Sequence, residues 1–216
     1  MRCPLRDRVW VFDLDNTLHD ASPHIFPHIN RSMTAYVAAQ LEVEEAEANR
    51  LRNLYWRRYG ATLLGLMRHH GTDPGHFLWH THQFPDLPGM LVFPRAVRSM
   101  LRRLPGRKIV FSNGPQHYAE AVLDAMGVSL HFDGIFTIEH TGFAPKPGII
   151  GFHRLLREHK LTPQRCVMVE DSPENLRTAK RVGMQTVLVS PHMKRPAFVD
   201  VTIQSILDLP HVIGKI

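Results

Sequence analysis

The 216-residue sequence has only two cysteines, Cys3 and Cys166, which are too few for a disulfide framework. It has no apolar run that approaches the roughly 20 residues needed to cross a bilayer. A secretory signal has a long apolar segment after its basic residues, and the N-terminal stretch MRCPLRDRVW has no such segment. These absences predict a soluble, cytoplasmic protein. A hydrophobic content of 44% suffices for one core and allows a smaller second unit.

The formal net charge is +6, which is typical of proteins that bind nucleic acid or an anionic small substrate. Arginine supplies most of the positive charge, in places such as RLRNLYWRR (residues 50–58) and RRLPGRK (residues 102–108), and solvated helix faces explain it. No recognisable nucleic-acid-binding motif accompanies the charge. We therefore expect a small anionic substrate rather than nucleic acid as the partner.

Helices and strands alternate along the second half of the chain, after Phe93. The predicted strands in this half are KIVFS, GIFTI, CVMVED and QTVLVS, and one more strand, 9–14, lies near the N-terminus. The predicted helices are about 94–104, 116–126, 148–159 and 173–182. This alternation predicts an α/β fold with a doubly wound, parallel, Rossmann-like sheet. In such sheets, ligands bind at the carboxyl ends of the strands.

A different pattern fills residues 19–92, where apolar residues recur at helical spacing and no strand is evident. The sequence therefore predicts a catalytic core of residues 1–18 and 93–216, interrupted by an inserted helical cap of residues 19–92. Because the insertion begins just after the first strand, we expect it to act as a lid that closes over the site.

Polar residues stand where the predicted strands end, and one lysine lies in the loop GFAPKPG. These residues are Asp13, Asp15, Ser112, Asn113, Lys146, Glu170 and Asp171. Four carboxylates at one edge of a sheet repel one another and require cations. Oxygen ligands without His or Cys favour Mg²⁺ over zinc. Lys146 adds a fixed positive charge, so the set suits an anionic substrate, above all a phosphate ester.

The two acids after the first strand can divide the chemistry between them. A carboxylate at the strand tip, Asp13, can attack phosphorus and form an acyl-phosphate. Asp15, two residues further on the same side, can protonate the leaving alkoxide and later accept a proton from water. Backbone N–H groups after Asp13 and nearby hydroxyls can cradle the phosphate oxygens. The candidate phosphate-binding residues are Asn16, Thr17, Ser112, Asn113 and Lys146.

Four segments, DLDNT, FSN, PKPG and VEDSPENL, together resemble the motifs of the haloacid dehalogenase-like hydrolase superfamily over about residues 8–208. The resemblance implies that Asp13 is the nucleophile, Asp15 the acid and base, Ser112 a phosphate ligand and Lys146 the bridge between nucleophile and phosphate. The metal ligands that it implies are Asp13, Glu170, Asp171 and the backbone carbonyl of Asp15. It implies that Asn175 contacts these ligands rather than the metal.

Within that superfamily, YGATLLGLMRHHGTDPGHFLWHTH (residues 59–82) resembles the cap of the pyrimidine 5′-nucleotidase branch, which implies hydrolysis of UMP or CMP. Asn16, where many relatives carry Gly, agrees with that branch. His19 departs from its usual Tyr and Glu170 from the commoner Asp, and His19 leaves the leaving-group preference open. Tyr59 and His69 are the candidate substrate contacts of the cap.

Other functions remain open on sequence grounds. A dehalogenase needs no acid to protonate a halide, so the presence of Asp15 favours phosphate esters. A phosphomutase is not excluded, and a phosphatase of a sugar phosphate or other small metabolite is the main alternative. Hypotheses of another class are a nucleic-acid-binding protein and a catalytically silent interaction protein. The intact acids and Lys146 oppose the silent form.

Overall fold

The computed structural model describes residues 5–191 and 195–216, so Cys3 lies outside the described residues. One six-stranded sheet has the order β3-β2-β1-β4-β5-β6, and every pairing is parallel. The strands are β1 (Val9–Phe12), β2 (Arg107–Phe111), β3 (Gly134–Phe136), β4 (Cys166–Glu170), β5 (Gln185–Val189) and β6 (Val201–Ile203). The prediction of a doubly wound parallel sheet is confirmed.

The α-helices in the described residues are numbered in chain order. They are α1 (Ile25–Leu41), α2 (Glu45–Tyr59), α3 (Thr62–His70), α4 (Pro74–Thr81), α5 (Leu87–Met90), α6 (Val97–Arg103), α7 (Gln116–Ala125), α8 (Ile149–Glu158), α9 (Pro173–Arg181) and α10 (Leu209–Val212). None of them combines the length and apolar character that a membrane crossing requires.

Strand β1 lies at the centre of the sheet because it is apolar on both faces. All four of its residues are buried, as expected for a parallel strand covered on both sides. Val9 and Val11 belong to a core cluster with Phe152 of α8 and Leu176 of α9. The register pairs Phe12 with Val110 of β2 and with Val169 of β4, so the chain after Phe12 emerges between two strand ends.

The chain divides into two compact units. One comprises the residues up to Asp20 and from Leu91 onwards, and it holds the sheet with α6–α10. The other is Ala21–Met90, which holds α1–α5. Within this second unit, Gly65 of α3 lies against the Tyr55 ring, where an added Cβ would come within 2.2 Å of the ring. Glycine therefore permits the close packing of α2 on α3.

Some short elements were not predicted. Strand β6 has three residues and α10 has four, too few to show a period in the sequence. Helix α5 was also missed because its four residues, LPGM, include a proline and a glycine. The first strand ends at Phe12 rather than at Leu14.

Candidate active site

Asp13 is the first residue beyond β1 and is almost fully buried. Its backbone N–H donates to the Val169 carbonyl at 2.9 Å, which carries the parallel pairing one residue past the strand. Its side chain faces a lysine, Lys146, whose Nζ lies 2.6 Å from Oδ1. The structure thus places an acid at the carboxyl end of the central strand, at the position where α/β sheets bind ligands.

Lys146 ties together the ends of three strands. Its ammonium donates to Asp13 after β1, to the Phe111 carbonyl of β2 at 2.8 Å, and to Glu170 Oε2 of β4 at 2.8 Å. These contacts use all three donors of the ammonium. Its side chain is only 1% exposed, so the positive charge is confined to this cluster.

Asn113 fixes the loop that carries Lys146. Its amide nitrogen donates to the Lys146 carbonyl at 3.1 Å, and its amide oxygen accepts from the Lys146 N–H at 2.8 Å. This reciprocal pair joins the end of β2 to the backbone of the loop. The geometry makes Asn113 a support for Lys146, and its contact with phosphate stays a prediction.

Glu170 accepts hydrogen bonds at both carboxylate oxygens. Oε2 accepts from Asn175 Nδ2 at 3.0 Å in addition to Lys146. Oε1 accepts from the backbone N–H groups of Asp171 and Ser172 at 3.2 and 3.3 Å. These donors exist because α9 begins here, with Ser172 as its N-cap and Pro173 in its first turn.

The electrostatics of the cluster follow from burial. The pKa of Asp13 is raised to about 7, mainly by burial and then by the charge of Glu170, and Lys146 opposes this rise. Burial also raises the pKa of Glu170 and of Asp171 above the ordinary carboxyl range. For Lys146, burial alone would lower the pKa, but the carboxylates of Asp13 and Glu170 hold it above the usual value. The lysine is therefore a cation, and the acids are short of positive charge.

A divalent cation would supply the positive charge that these three acids lack. Asp13, Glu170 and Asp171 each offer a carboxylate oxygen, and these oxygens all lie within 4.8 Å of one another. A set of hard oxygen donors without sulfur or imidazole suits Mg²⁺. Asp171 is half-buried, whereas Asp13 and Glu170 are buried. Lys146 also binds both buried acids, and Asn175 binds Glu170, so Asp171 is the most available of the three to a metal ion.

Replacing Asp171 by Asn should therefore weaken Mg²⁺ binding, by about 10-fold or more, since one charged oxygen ligand is lost. Isothermal titration calorimetry of the metal-free protein measures this directly. Glu174→Gln is the matched control, because Glu174 is exposed three residues further along and lies outside the cluster. Equal Mg²⁺ affinities for the two variants would contradict the assignment of Asp171.

The predicted phosphate-binding residues lie around Asp13. Thr17 is buried, and its hydroxyl donates to Asp13 Oδ2 at 3.3 Å. Ser112 is buried at the end of β2, and its hydroxyl oxygen accepts the Gly114 N–H at 2.9 Å. Asn16 has a φ of +60°, the left-handed conformation that Asn and Gly tolerate best. This explains why Asn can stand at a position where Gly would also serve.

Asp15 does not belong to the acidic cluster of Asp13, Glu170 and Asp171. Its Oδ1 accepts from the Tyr118 hydroxyl at 2.5 Å and lies 3.0 Å from His19 Nε2. Tyr118 was not predicted as a site residue, because an aromatic residue at apolar spacing on a helix is typical of the core. The structure buries His19 against Asp15. The effect of His19 on the leaving-group preference stays a prediction.

Tyr59 and His69, the candidate cap contacts, are neighbours in the second unit. The Tyr59 hydroxyl lies 2.6 Å from His69 Nε2. Arg58 and Arg68 place guanidinium groups 5.5 and 5.7 Å from the centroid of the Tyr59 ring. Half-buried Tyr59 and exposed His69 thus form a hydrogen-bonded pair, and two cations lie beside the Tyr59 ring. Their contact with a substrate stays a prediction.

The fold and this geometry define an α/β protein with a buried acid–lysine cluster at the carboxyl end of its parallel sheet. Comparison with known families agrees, since the profile of the haloacid dehalogenase-like hydrolase family matches residues 8–183. The chain belongs to this family of hydrolases.

Two relatives of known name are similar over most of the chain. Phosphoglycolate phosphatase of Rhodospirillum rubrum is 30% identical over 198 residues, which are 83% of this chain and 78% of the relative. Phosphate metabolism protein 8 of Saccharomyces cerevisiae is 24% identical over 196 residues, or 84% of this chain. The chain spans 61% of the length of the yeast protein.

Solved structures support the fold. A phosphatase of haloacid dehalogenase type from Thermococcus onnurineus superposes with a TM-score of 0.69 at 21% identity, covering 96% of this chain and 98% of its own. The L-2-haloacid dehalogenase of Xanthobacter autotrophicus, with chloropropionic acid covalently bound, gives 0.62 at 15% identity over 96% and 98%. At these identities the likeness establishes the fold alone.

Proposed function

We propose that the protein is a Mg²⁺-dependent phosphomonoesterase that forms an aspartyl-phosphate on Asp13. The observation that supports this most directly is the buried contact of Asp13 with Lys146, at 2.6 Å, beside two further acids at the sheet edge. The similarity to phosphoglycolate phosphatase of Rhodospirillum rubrum agrees with it. A haloacid substrate would leave Asp15 without a proton-transfer role, since a halide leaves unprotonated.

Asp13 acts as the nucleophile. Lys146 favours the ionised form that attack requires, because its ammonium opposes the rise of the Asp13 pKa that burial causes. Hydrogen bonds from Lys146 to Oδ1 and from Thr17 to Oδ2 fix the carboxylate in place before the substrate arrives. Bound by Asp13, Glu170, Asp171 and the Asp15 carbonyl, Mg²⁺ would supply positive charge that offsets these acids and the phosphate.

Asp15 serves as the acid and then the base. It gives a proton to the leaving alkoxide when Asp13 bonds to phosphorus, and later takes one from the water that hydrolyses the aspartyl-phosphate. Its side chain is 19% exposed, so water and substrate can reach it. Backbone N–H groups beside Asn16, with the hydroxyls of Thr17 and Ser112, would hold the phosphate oxygens.

Pyrimidine nucleoside 5′-monophosphates, UMP and CMP, are the proposed substrates. The support is the resemblance of residues 59–82 to the pyrimidine 5′-nucleotidase cap, with residues 19–92 as the cap domain. Tyr59 is the proposed stacking partner of the base, and His69 is the proposed polar contact. The two guanidinium groups beside Tyr59 would add attraction for an anionic nucleotide.

A second candidate substrate is a small phosphorylated metabolite. The identity of 30% with phosphoglycolate phosphatase favours it, because that relative is matched across most of both chains. The proposed chemistry at Asp13 is the same for both substrates, so the two candidates differ only in what the rest of the site recognises.

A panel of phosphate esters tests the proposal and separates the two substrates. We expect Mg²⁺-dependent phosphate release, with kcat/KM for UMP and CMP at least about 10-fold above that for 2-phosphoglycolate and sugar phosphates. The control is the same panel in excess EDTA, which should show no turnover. A preference for 2-phosphoglycolate or a sugar phosphate would contradict the nucleotide assignment and keep the phosphatase. No release from any ester would contradict both.

A further inference from the structure

One oxygen of Asp15 is held by two buried side chains. Tyr118 lies on α7, 103 residues away in sequence, and its hydroxyl donates to Oδ1 at 2.5 Å. His19 Nε2 approaches the same oxygen at 3.0 Å. Tyr118 is 1% exposed and His19 is 2% exposed, so neither contact competes freely with water. The packing is specific, since a Cβ on Gly114 would come within 2.9 Å of the Tyr118 ring.

The direction of the first hydrogen bond is fixed. A tyrosine hydroxyl carries its proton at neutral pH, and the geometry aims the Tyr118 hydroxyl at Asp15 Oδ1 as the donor. A carboxylate oxygen accepts from such donors. In the described part of the chain, the recorded hydrogen bonds to the Asp15 side chain all reach Oδ1. Tyr118 and His19 thus both engage Oδ1, and Oδ2 is the oxygen that they leave available to a proton.

We propose that Tyr118, with His19, is a positioning residue that holds Oδ1 of Asp15 and leaves Oδ2 as the oxygen that transfers the proton. This inference rests on the proposed function. When Asp13 bonds to phosphorus, the bond from phosphorus to the ester oxygen breaks, and the proton on Oδ2 moves to that leaving oxygen. In the second step, water attacks phosphorus and gives a proton to Oδ2, and the bond from phosphorus to the Asp13 oxygen breaks, which releases phosphate and restores the Asp13 carboxylate.

A leaving group that needs no proton separates this role from a structural one. We would compare Tyr118→Phe with the wild-type enzyme in single-turnover reactions with excess enzyme and Mg²⁺. With UMP, whose alkoxide must be protonated, the variant should be slower by about 10-fold to 100-fold, a part of the roughly 10²–10⁴-fold that a general acid contributes. With 4-nitrophenyl phosphate, nitrophenolate release should stay within about two-fold of wild type, because this anion leaves unprotonated.

Two controls complete the design. Tyr36→Phe removes a different buried hydroxyl, which lies 2.8 Å from His76 Nδ1 in the second unit, and should leave both rates unchanged. Adding Tyr118→Phe to Asp15→Asn should cause little further loss with UMP, because Tyr118 acts through Asp15. Additive losses in that double variant would overturn the inference.

The remaining outcomes are distinct. Equal slowing with both substrates in Tyr118→Phe would show a general structural role and overturn the inference, while wild-type turnover would leave the proposed function standing. Unchanged rates with both substrates would also overturn the inference alone. If the wild-type enzyme prefers another alkyl ester of the panel, that ester replaces UMP in the comparison, and a wild-type enzyme that releases phosphate from no ester would overturn the proposed function and the inference together.

Discussion

Replacing Asp13 by Asn should abolish phosphate release while the protein stays folded. We expect kcat to fall at least about 10⁴-fold, since an amide cannot form the aspartyl-phosphate and losses of this size follow removal of a nucleophile. Phosphate release measured with Mg²⁺ and the preferred ester tests this. Asp124→Asn is the matched control, because Asp124 is exposed on α7 and should leave kcat unchanged.

The fold should tolerate this change because burial disfavours the ionised form of Asp13, whereas Asn carries no charge. Its pKa rises from 3.8 to about 7, so the folded state holds a proton between these values that the unfolded state releases. The contribution of Asp13 to stability therefore falls as the pH rises from about 4 to about 7, and it is constant above that. In the variant, Lys146 keeps its bonds to Glu170 and to the Phe111 carbonyl.

Consequently, the stability of Asp13→Asn relative to wild type should be greater at pH 8 than at pH 5. Urea unfolding in EDTA at both values measures the difference, and EDTA keeps divalent cations from masking it. Residual turnover within ten-fold of wild type would place the nucleophile elsewhere. A relative stability that falls between pH 5 and pH 8 would contradict a raised pKa for Asp13.

The sequence was sufficient to place the acids, for a physical reason. Parallel strands end at one edge of a sheet, so residues that follow different apolar runs must meet there. The rule predicts that Asp13, Lys146 and Glu170 lie close together, and the structure places Lys146 Nζ in contact with both acids. It also explains why β1 could be recognised, since a central parallel strand is apolar on both faces.

The contacts of Tyr118, His19 and Asn113 could not be predicted in the same way. Each depends on the path of a loop or the direction of a side chain, which the apolar period does not encode. Tyr118 looks like a core residue of α7, and only the structure brings its hydroxyl to Asp15. Strand β6 was missed because a three-residue edge strand is stabilised by its pairing with β5 rather than by local pattern.

Among the residues that the structure describes, Lys146 is the cation that binds the acids of the cluster, and its removal should lower both stability and turnover. Its side chain is 1% exposed, and that of Glu170 is 1% exposed. Removing one partner of such a buried pair costs about 3–5 kcal/mol, because the other charge stays buried without compensation. In Lys146→Met, the carboxylates of Asp13 and Glu170 and the Phe111 carbonyl all lose this donor.

We therefore expect Lys146→Met to lose about 3–5 kcal/mol of unfolding free energy in EDTA and at least about 10³-fold in kcat. Lys180→Met is the matched control, since Lys180 pairs with Asp200 at 2.6 Å but is 41% exposed. That variant should lose about 0–1 kcal/mol and keep its turnover. Urea unfolding and phosphate release measure the two effects, and equal losses for the two variants would contradict the role of Lys146.

Mg²⁺ gives this comparison a second readout. In Lys146→Met without metal, neither the ammonium nor Mg²⁺ compensates the charge of the acids. Added Mg²⁺ should therefore stabilise this variant by more than it stabilises wild type. Turnover should not recover with stability, because the metal replaces the charge of the ammonium but not its hydrogen bond to Asp13 Oδ1. A variant rescued in both respects would show that Lys146 acts on the acids through its charge alone.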